Sequence, residues 1–219
     1  EKLTLGGDDS FSSLALYIFN KADQRCEYSE LIPEFTPQRL KELSRSVNVS
    51  PQTKIIYAIA NYNDPDKTFS TPVTSALTLE QLENLTVSGS VFSGNSILMV
   101  GKKEVPINSE YVVAEIPMQR LAARLDIYMF KNQELAQSTV TVTSVEFRNQ
   151  VLTTYGNPDR VTMPADTKMQ NVTVPITENG ILQPMPSDLS EIIPANAKAS
   201  FYTYRNMVSD GKPDANTPY

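Results

Sequence analysis

The sequence contains no histidine and no tryptophan, and cysteine occurs only once, at Cys26. Without histidine, Ser-His-Asp and Cys-His catalysis, histidine-ligated metals and most proton transfer near neutral pH are excluded. A single cysteine can neither close an internal disulfide nor build a thiolate metal site. An enzyme would have to use carboxylate, tyrosine or lysine chemistry, and no motif supports this. We therefore expect a non-enzyme without a metal or cofactor.

Basic residues are also outnumbered, because the chain has 19 Lys and Arg against 25 Asp and Glu and a net charge of −6. This balance argues against a nucleic-acid partner, which requires a basic face, and against adsorption to anionic lipid. No apolar run is long enough to span a bilayer, so we expect no direct membrane span. Hydrophobic residues make up 40% of the chain, which is enough to build a core. Cys26 is most simply a small apolar residue, with an intermolecular disulfide or a reactive thiol as alternatives.

Most of the recognisable patterns in the sequence are typical of β-strands. Short runs rich in β-branched and aromatic residues, several of them alternating between apolar and polar positions, predict strands. Prolines lie mostly between these runs and mark loops and sheet edges. The predicted strands are LALYIF (14–19), TKIIYAIANY (53–62), NSILMVG (95–101), EYVVAEIPM (110–118), STVTVTSVEFRN (138–149), QNVTVPI (170–176) and ASFYTYRN (199–206).

Two short segments predict surface helices. In residues 36–47, Thr36 is a candidate N-cap, Pro37 occupies the first helical position, and leucines follow at helical spacing. In residues 78–85, Thr78 and Gln81 form a capping-box pattern ahead of a leucine stripe. A stripe this short indicates core packing rather than a partner-binding groove.

The stretch PMQRLAARLDIYMF (117–130) places Arg120 and Arg124 in an apolar run. Periodicity alone leaves a helix open, but Pro117, Ile127 and the aromatic residues favour a strand. The two arginines would then lie on a solvated or ion-paired outer face. The opposite face would carry only apolar side chains: Leu121, Ala123, Leu125, Ile127 and Met129.

The segment NYNDPDK (61–67) groups oxygen ligands, but it lacks the turn glycine and the bidentate glutamate of a calcium loop. We therefore interpret it as an Asx-Pro turn. Taken together, these patterns predict a mostly β fold in which two sheets pack as a sandwich.

Three stretches resemble the Bacteroidetes-type fimbrillins, the pilins of type V pili, of either the major or the minor fimbrillin type. LTLGGDDSFSSLALYIFN (3–20) resembles the start of a mature fimbrillin, and RLAARLDIYMF (120–130) resembles the strand that closes its N-terminal domain. ASFYTYRNMVSDGKPDANTPY (199–219) resembles a late strand and the variable loop after it, with Arg205 where the family usually has glutamate.

The resemblance implies two tandem transthyretin-like β-sandwich domains, with residues 1–130 forming the first and residues 131–219 the start of the second. Family members continue past this point through further strands, so the second domain would be incomplete in this chain. The resemblance also implies a lipoprotein precursor that is exported to the bacterial outer membrane and cell surface. A protease removes an N-terminal segment, and subunits then join by donor-strand exchange.

The expected function is thus that of a structural, adhesive subunit of a surface fimbrium, with other pilin subunits as partners. The alternative is a surface lipoprotein on the same fold that binds a host protein or a glycan, through exposed tyrosines such as Tyr62, Tyr155 and Tyr219. Whether the subunit is a stalk, an anchor or a tip stays open. Leu14, Leu16 and Ile18 alternate along one strand, and the resemblance implies that this strand lies nearest the exchange groove.

Overall fold

The computed structural model describes the greater part of the chain, and all structural statements below concern that part. The described residues are 12–34, 46–89, 97–135, 137–160, 162–176, 180–186, 188 and 197–204.

Strands account for almost all regular structure in these ranges, which confirms the mostly β fold. One short α-helix, α1 (Leu79–Glu83), and one 3₁₀ turn (Gln133–Leu135) accompany them. The strands are β1 (Leu14–Asn20), β2 (Cys26–Ile32), β3 (Thr53–Ala60), β4 (Lys67–Phe69), β5 (Thr86–Gly89), β6 (Met99–Pro106), β7 (Gln119–Arg120), β8 (Ala122–Ile127), β9 (Ser144–Val151), β10 (Thr153–Tyr155), β11 (Met169–Pro175) and β12 (Ala199–Tyr204).

An antiparallel five-stranded sheet with the order β2-β1-β3-β6-β7 forms the centre of the fold. Tyr17 and Tyr57 are opposite each other on β1 and β3, and both side chains are fully buried on the inner face. Ile18 and Ile56 are likewise opposite each other and lie on the outer face. β1 and β3 therefore bury both faces, which explains why their sequences are apolar almost throughout.

A second layer covers the inner face of the five-stranded sheet. It contains the three-stranded sheet β10-β5-β4 and helix α1, which contributes the buried residues Leu79 and Leu82. The predicted capping box is present, because the Thr78 hydroxyl accepts from the Gln81 amide and the Gln81 side chain accepts from the Thr78 amide. This layer and the inner face enclose the main hydrophobic core.

The remaining strands form two antiparallel ribbons, β8–β12 and β9–β11. Phe147 and Phe201 pack across the ribbons with their ring centroids 5.2 Å apart. Val151 and Tyr204, at the ends of β9 and β12, are buried in the main core. β10 follows β9 and pairs with β5, so the chain beyond residue 131 also contributes to the central layers. The domain boundary at residues 130 and 131 stays a prediction.

The stretch 117–130 is extended as predicted, but it is divided at the buried residue Leu121. β7 pairs with β6, whereas β8 pairs with β12 in a different sheet. The predicted single strand is therefore two strands, and its apolar face is not buried throughout, because Leu125 is 42% exposed. Arg124 is ion-paired to Asp126 at 2.8 Å and lies over the Tyr202 ring, which confirms the ion-paired outer face.

The other sequence predictions had mixed outcomes. The strands expected near residues 14, 53, 170 and 199 are present. The strand expected at 138–149 begins only at Ser144, and the strand expected at 95–101 begins at Met99 and extends to Pro106. β2 and the short strands β4, β5 and β10 were not predicted. The helix predicted at 36–47 falls almost entirely on residues outside the described part of the chain.

Candidate functional site

A large apolar groove of about 1010 Å³ lies on the outer face of the five-stranded sheet. Its floor is formed by outward-facing side chains of β1, β3 and β6. Two segments outside the assigned strands border it, residues 46–51 and residues 107–118. We call these features the groove, the short wall and the long wall.

The three residues expected from the sequence, Leu14, Leu16 and Ile18, all line the groove. They occupy alternate positions of β1, while Ala15, Tyr17 and Phe19 between them are fully buried in the main core. This two-faced arrangement follows from the period of two in a strand. The alternation in the sequence therefore placed these side chains correctly on one face, whereas their role in strand exchange stays a prediction.

β3 supplies the middle of the floor with Ile56 and Ala58, and β6 supplies Val105. In the sheet register, Leu16 is opposite Ala58, and Ala58 is opposite Gly101. Sequence reasoning did not identify Ile56, Ala58 and Val105 as groove residues, because the floor arises from the pairing of three strands that are distant in sequence.

The long wall contains an extended segment, Tyr111–Met118, in which burial alternates with a period of two. Val112, Ala114 and Ile116 are half-buried against the outer-face cluster, whereas Tyr111 and Val113 are 78% and 74% exposed. The sequence predicted a strand here, and the segment is extended without being part of any assigned sheet. Within the described residues, no backbone–backbone hydrogen bond involves residues 111–118.

Gly101 on β6 allows the long wall to approach the sheet closely. A Cβ atom at this position would lie 2.7 Å from Met118 Sδ and 2.8 Å from Ile116 Cγ2. The Lys103 ammonium donates to the Glu115 carbonyl at 2.7 Å and holds the middle of the segment. Within the described part of the chain, residues 111–118 of the long wall are thus held by side chains, whereas the Ile107 amide donates to the Gln52 carbonyl.

The short wall is fixed by a charged cluster at one end of the groove. Lys54 is fully buried, and its ammonium donates to Glu27 Oε2 at 2.9 Å and to Ser50 Oγ at 2.7 Å. Glu27 also accepts from the Ser50 hydroxyl at 2.6 Å and from the Ser50 amide at 3.1 Å. The Ser50 hydrogen bonds and the Lys54 charge lower the pKa of Glu27 to about 2.

These features determine what the groove can bind. Its floor is apolar, the long wall contains an extended segment, and few charged side chains line it, namely Glu30, Lys54, Glu110 and Glu115. An extended peptide could bury alternate apolar side chains in the floor and pair its backbone with a bordering segment.

The segment at 61–67 forms the expected turn rather than an open ligand set. The Asp66 amide donates to Asp64 Oδ1 at 3.0 Å, and the buried Lys67 ammonium is paired with the Asp64 carboxylate. In the described ranges, no group of three or more potential metal-ligating side chains of His, Cys, Asp or Glu is present.

The tyrosines considered for ligand binding do not form one exposed cluster in the described ranges. Tyr62 is half-buried against the main core, and Tyr155 is half-buried with the Arg160 guanidinium 4.6 Å from its ring centroid. Tyr219 lies outside the described residues.

Burial raises the pKa of the half-buried Cys26 thiol. Along the described residues, no helix combines the length and apolar character that crossing a bilayer requires.

No protein-family model matches the sequence, and no curated protein is significantly similar to it. Solved structures do share the fold. A candidate adhesin from Bacteroides thetaiotaomicron matches with a TM-score of 0.54 and 11% identity, over 92% of this chain and 66% of that one. A candidate polysaccharide-binding protein from the same species gives 0.53 and 13%, over 90% and 65%.

A fimbrial assembly protein from Parabacteroides distasonis matches with a TM-score of 0.50 and 12% identity, over 92% of this chain and 71% of that one. At such low identities, these likenesses show a common fold. The chain spans about two thirds of the length of the first two structures. The described functions of these neighbours concern adhesion, polysaccharide binding and fimbrial assembly rather than catalysis.

Proposed function

We propose that this chain is a structural subunit of a bacterial surface fimbrium and that its groove accepts a β-strand donated by a neighbouring subunit. The observation that carries the proposal is the groove itself, with alternating apolar residues on its floor and an extended wall whose backbone lacks a ladder. The fold shared with a fimbrial assembly protein and with a candidate adhesin supports the same function.

A β-strand fits both the apolar floor of the groove and the extended backbone of the long wall. Alternate side chains of an inserted strand would be buried on Leu14, Leu16 and Ile18, at about 1.5–3 kcal/mol for each large apolar side chain. Its backbone would pair with the long wall, which a lipid or a small apolar ligand could not do. Such a joint between subunits requires neither metal nor cofactor.

The finer parts of the proposal rest on the resemblance of the sequence to fimbrillins. The subunit is exported as a lipoprotein precursor to the outer membrane, and proteolytic removal of an N-terminal segment precedes donor-strand exchange. The assembled fimbrium serves adhesion. Its other subunits are the direct partners, and a host protein or glycan is a further candidate.

A charge on the groove floor tests this proposal. Leu16→Asp places a carboxylate where the donated strand would bury an apolar side chain, so we expect assembly to fail. Thr68→Asp adds the same charge at an exposed position of β4 and serves as the matched control. Immunogold electron microscopy of the producing cells would measure how much of each variant is incorporated into surface fibres.

The proposal predicts labelled fibres for wild type and Thr68→Asp, and exported but unassembled protein for Leu16→Asp. Circular dichroism of the purified variant would show that Leu16→Asp has kept its β structure. Fibres of normal abundance from a folded Leu16→Asp protein would contradict the proposal.

One observation favours a second candidate function, the binding of a glycan. A structure with the same fold is described as a candidate polysaccharide-binding protein, and Arg160 and Tyr155 form a cationic and aromatic pair in this chain. A glycan array probed with wild type and Tyr155→Ala would test this function. Glycan binding by wild type that is lost in Tyr155→Ala would support this function. Absence of binding to any glycan on the array by wild type would contradict it.

A further inference from the structure

The long wall has two backbone edges, and they are not equivalent. In an extended segment, the N–H and C=O groups of one residue point to the same side, and successive residues alternate between the two sides. Tyr111, Val113 and Glu115 therefore present one edge. Val112, Ala114 and Ile116 present the other edge, and their side chains are the ones that pack against the sheet.

Hydrogen bonds show which edge faces away from the floor contributed by β1. The Glu115 carbonyl accepts from Lys103, which lies on β6, two strands away from β1, and does not line the groove. The Tyr111 carbonyl accepts from the Ser109 hydroxyl at 2.9 Å. Two carbonyl groups of the odd-numbered edge, those of Tyr111 and Glu115, thus already accept hydrogen bonds from side chains of this chain.

Pro117 supports the same orientation. It is the next odd-numbered residue and has no N–H group to offer. Proline in a sheet is restricted to positions whose N–H side does not take part in a ladder. A proline on this edge is compatible with an edge that pairs with no strand, whereas it would interrupt a ladder on the other edge.

The even-numbered edge differs from the odd-numbered edge in its hydrogen bonding. In the described part of the chain, no hydrogen bond is made by the backbone of Val112, Ala114 or Ile116. Residues of both edges line the groove, but only the side chains of these three pack against the outer-face cluster of the sheet. We infer that the even-numbered edge of Tyr111–Met118 is the pairing edge of the groove, and that a strand from a second subunit hydrogen-bonds to Val112, Ala114 and Ile116.

This inference deepens the proposed function and rests on it, because it assigns the backbone groups that hold the donated strand. A strand fits this edge because it alone supplies donors and acceptors at matching spacing along three alternate residues. The floor beside the edge, with Ile18 and Ile56, then receives the side chains of the same strand.

Hydrogen exchange at single-residue resolution, measured on the full chain before and after assembly, tests the inference. We expect the amides of Val112, Ala114 and Ile116 to exchange at least about tenfold more slowly in the assembled protein. The amides of Tyr111, Val113 and Glu115 should exchange at unchanged rates. Equal protection of both sets, or protection of the odd-numbered set alone, would overturn the inference.

Proline substitutions give a second test. Ala114→Pro removes an N–H group from the pairing edge, whereas Val113→Pro removes one from the opposite edge and is the matched control. We expect Ala114→Pro to reduce assembly at least about tenfold relative to Val113→Pro, with both proteins folded. Equal assembly of the two variants would overturn the inference.

Failure of the proposed function and failure of the assigned pairing edge give different experimental results. If the wild-type chain forms no assembly at all, the proposed function fails and the inference fails with it. If the wild-type chain assembles without alternating protection, the proposed function stands and only the assignment of the pairing edge is wrong.

Discussion

At the scale of single residues, the most unusual group is Lys54, a fully buried ammonium beside an apolar groove. A buried charge is costly unless it is paired, and Glu27 and Ser50 provide this pairing. The same contacts attach the short wall to β2 and β3. One charged cluster therefore stabilises both the buried lysine and the shape of the groove.

The Glu27 carboxylate makes stability depend on pH. Its folded-state pKa of about 2 lies below the ordinary value of 4.5, so its contribution is complete above about pH 4.5 and is lost as the pH falls towards 2. Glu27→Gln cannot titrate. We expect the free energy of unfolding of wild type to exceed that of Glu27→Gln at pH 7 and this difference to shrink on acidification.

Urea unfolding at pH 7, 5, 4 and 3 measures this difference. A difference between wild type and Glu27→Gln that stays constant from pH 7 to pH 3 would contradict the assignment. Glu27→Ala should be less stable than Glu27→Gln, by about 1–3 kcal/mol, because Lys54 then loses an acceptor that the amide oxygen preserves.

Tyr57 is a second decisive residue, because its hydroxyl joins two distant parts of the chain. It donates to the Gly156 carbonyl at 2.8 Å inside the main core. Tyr57→Phe leaves this carbonyl without its donor, and we expect the free energy of unfolding to fall by about 1–3 kcal/mol. Tyr111→Phe, at a side chain that is 78% exposed, is the control and should have little effect.

Thermal or urea unfolding of the two variants in parallel checks the Tyr57 prediction. Burial raises the pKa of Tyr57 far above its ordinary value, so the hydroxyl stays protonated and the result should not depend on pH between 6 and 9. Equal stabilities of Tyr57→Phe and Tyr111→Phe would show that the hydrogen bond contributes nothing.

At the scale of elements, the long wall depends on the absence of a side chain at Gly101. Gly101→Val would place methyl groups where Ile116 and Met118 lie, and overpacking of this kind costs about 1–3 kcal/mol. We expect the variant to keep its central sheet while the long wall moves away from it. Limited proteolysis should then cleave within residues 107–118 faster than in wild type.

A double variant, Gly101→Val with Ile116→Ala, serves as the control, since removing the Ile116 side chain relieves part of the clash. Its rate of cleavage should lie between those of wild type and Gly101→Val. Identical cleavage rates of wild type and Gly101→Val would show that the close approach at Gly101 does not hold the long wall.

Patterns within single elements were predictable from the sequence, because they depend on local periodicity and local hydrogen bonds. The alternation along β1 placed Leu14, Leu16 and Ile18 on one face, and the residues Thr78 and Gln81 marked the start of α1. The division of 117–130 at Leu121 could not be predicted. It arises because β7 and β8 pair with different sheets, and local sequence does not encode the choice of partner strand.

The long wall also shows that the local sequence does not determine which strands pair. Its residues 110–118, EYVVAEIPM, have the alternation of a strand, and Tyr111–Met118 is extended, yet in the described residues the segment joins no sheet. Side-chain alternation determines which face is buried, but backbone pairing requires a neighbour at the correct distance. The sequence therefore predicted the conformation of this segment, while the groove beside it emerged only from the packed structure.

At the scale of the whole molecule, the described residues form a β fold with a main core and a groove that a strand could fill. The central sheet is covered on its inner face by the second layer and only in part on its outer face. On the proposed function, a strand contributed by a neighbour binds only the folded subunit and therefore increases its stability.

The measurement that tests this account most directly is an unboiled SDS gel of the full-length protein recovered from the surface of the cells that make it, probed with an antibody to this chain. The account predicts a regular ladder of SDS-resistant multimers, which collapses to one band on boiling. A single monomer band from the unboiled sample would contradict strand exchange between copies of this chain.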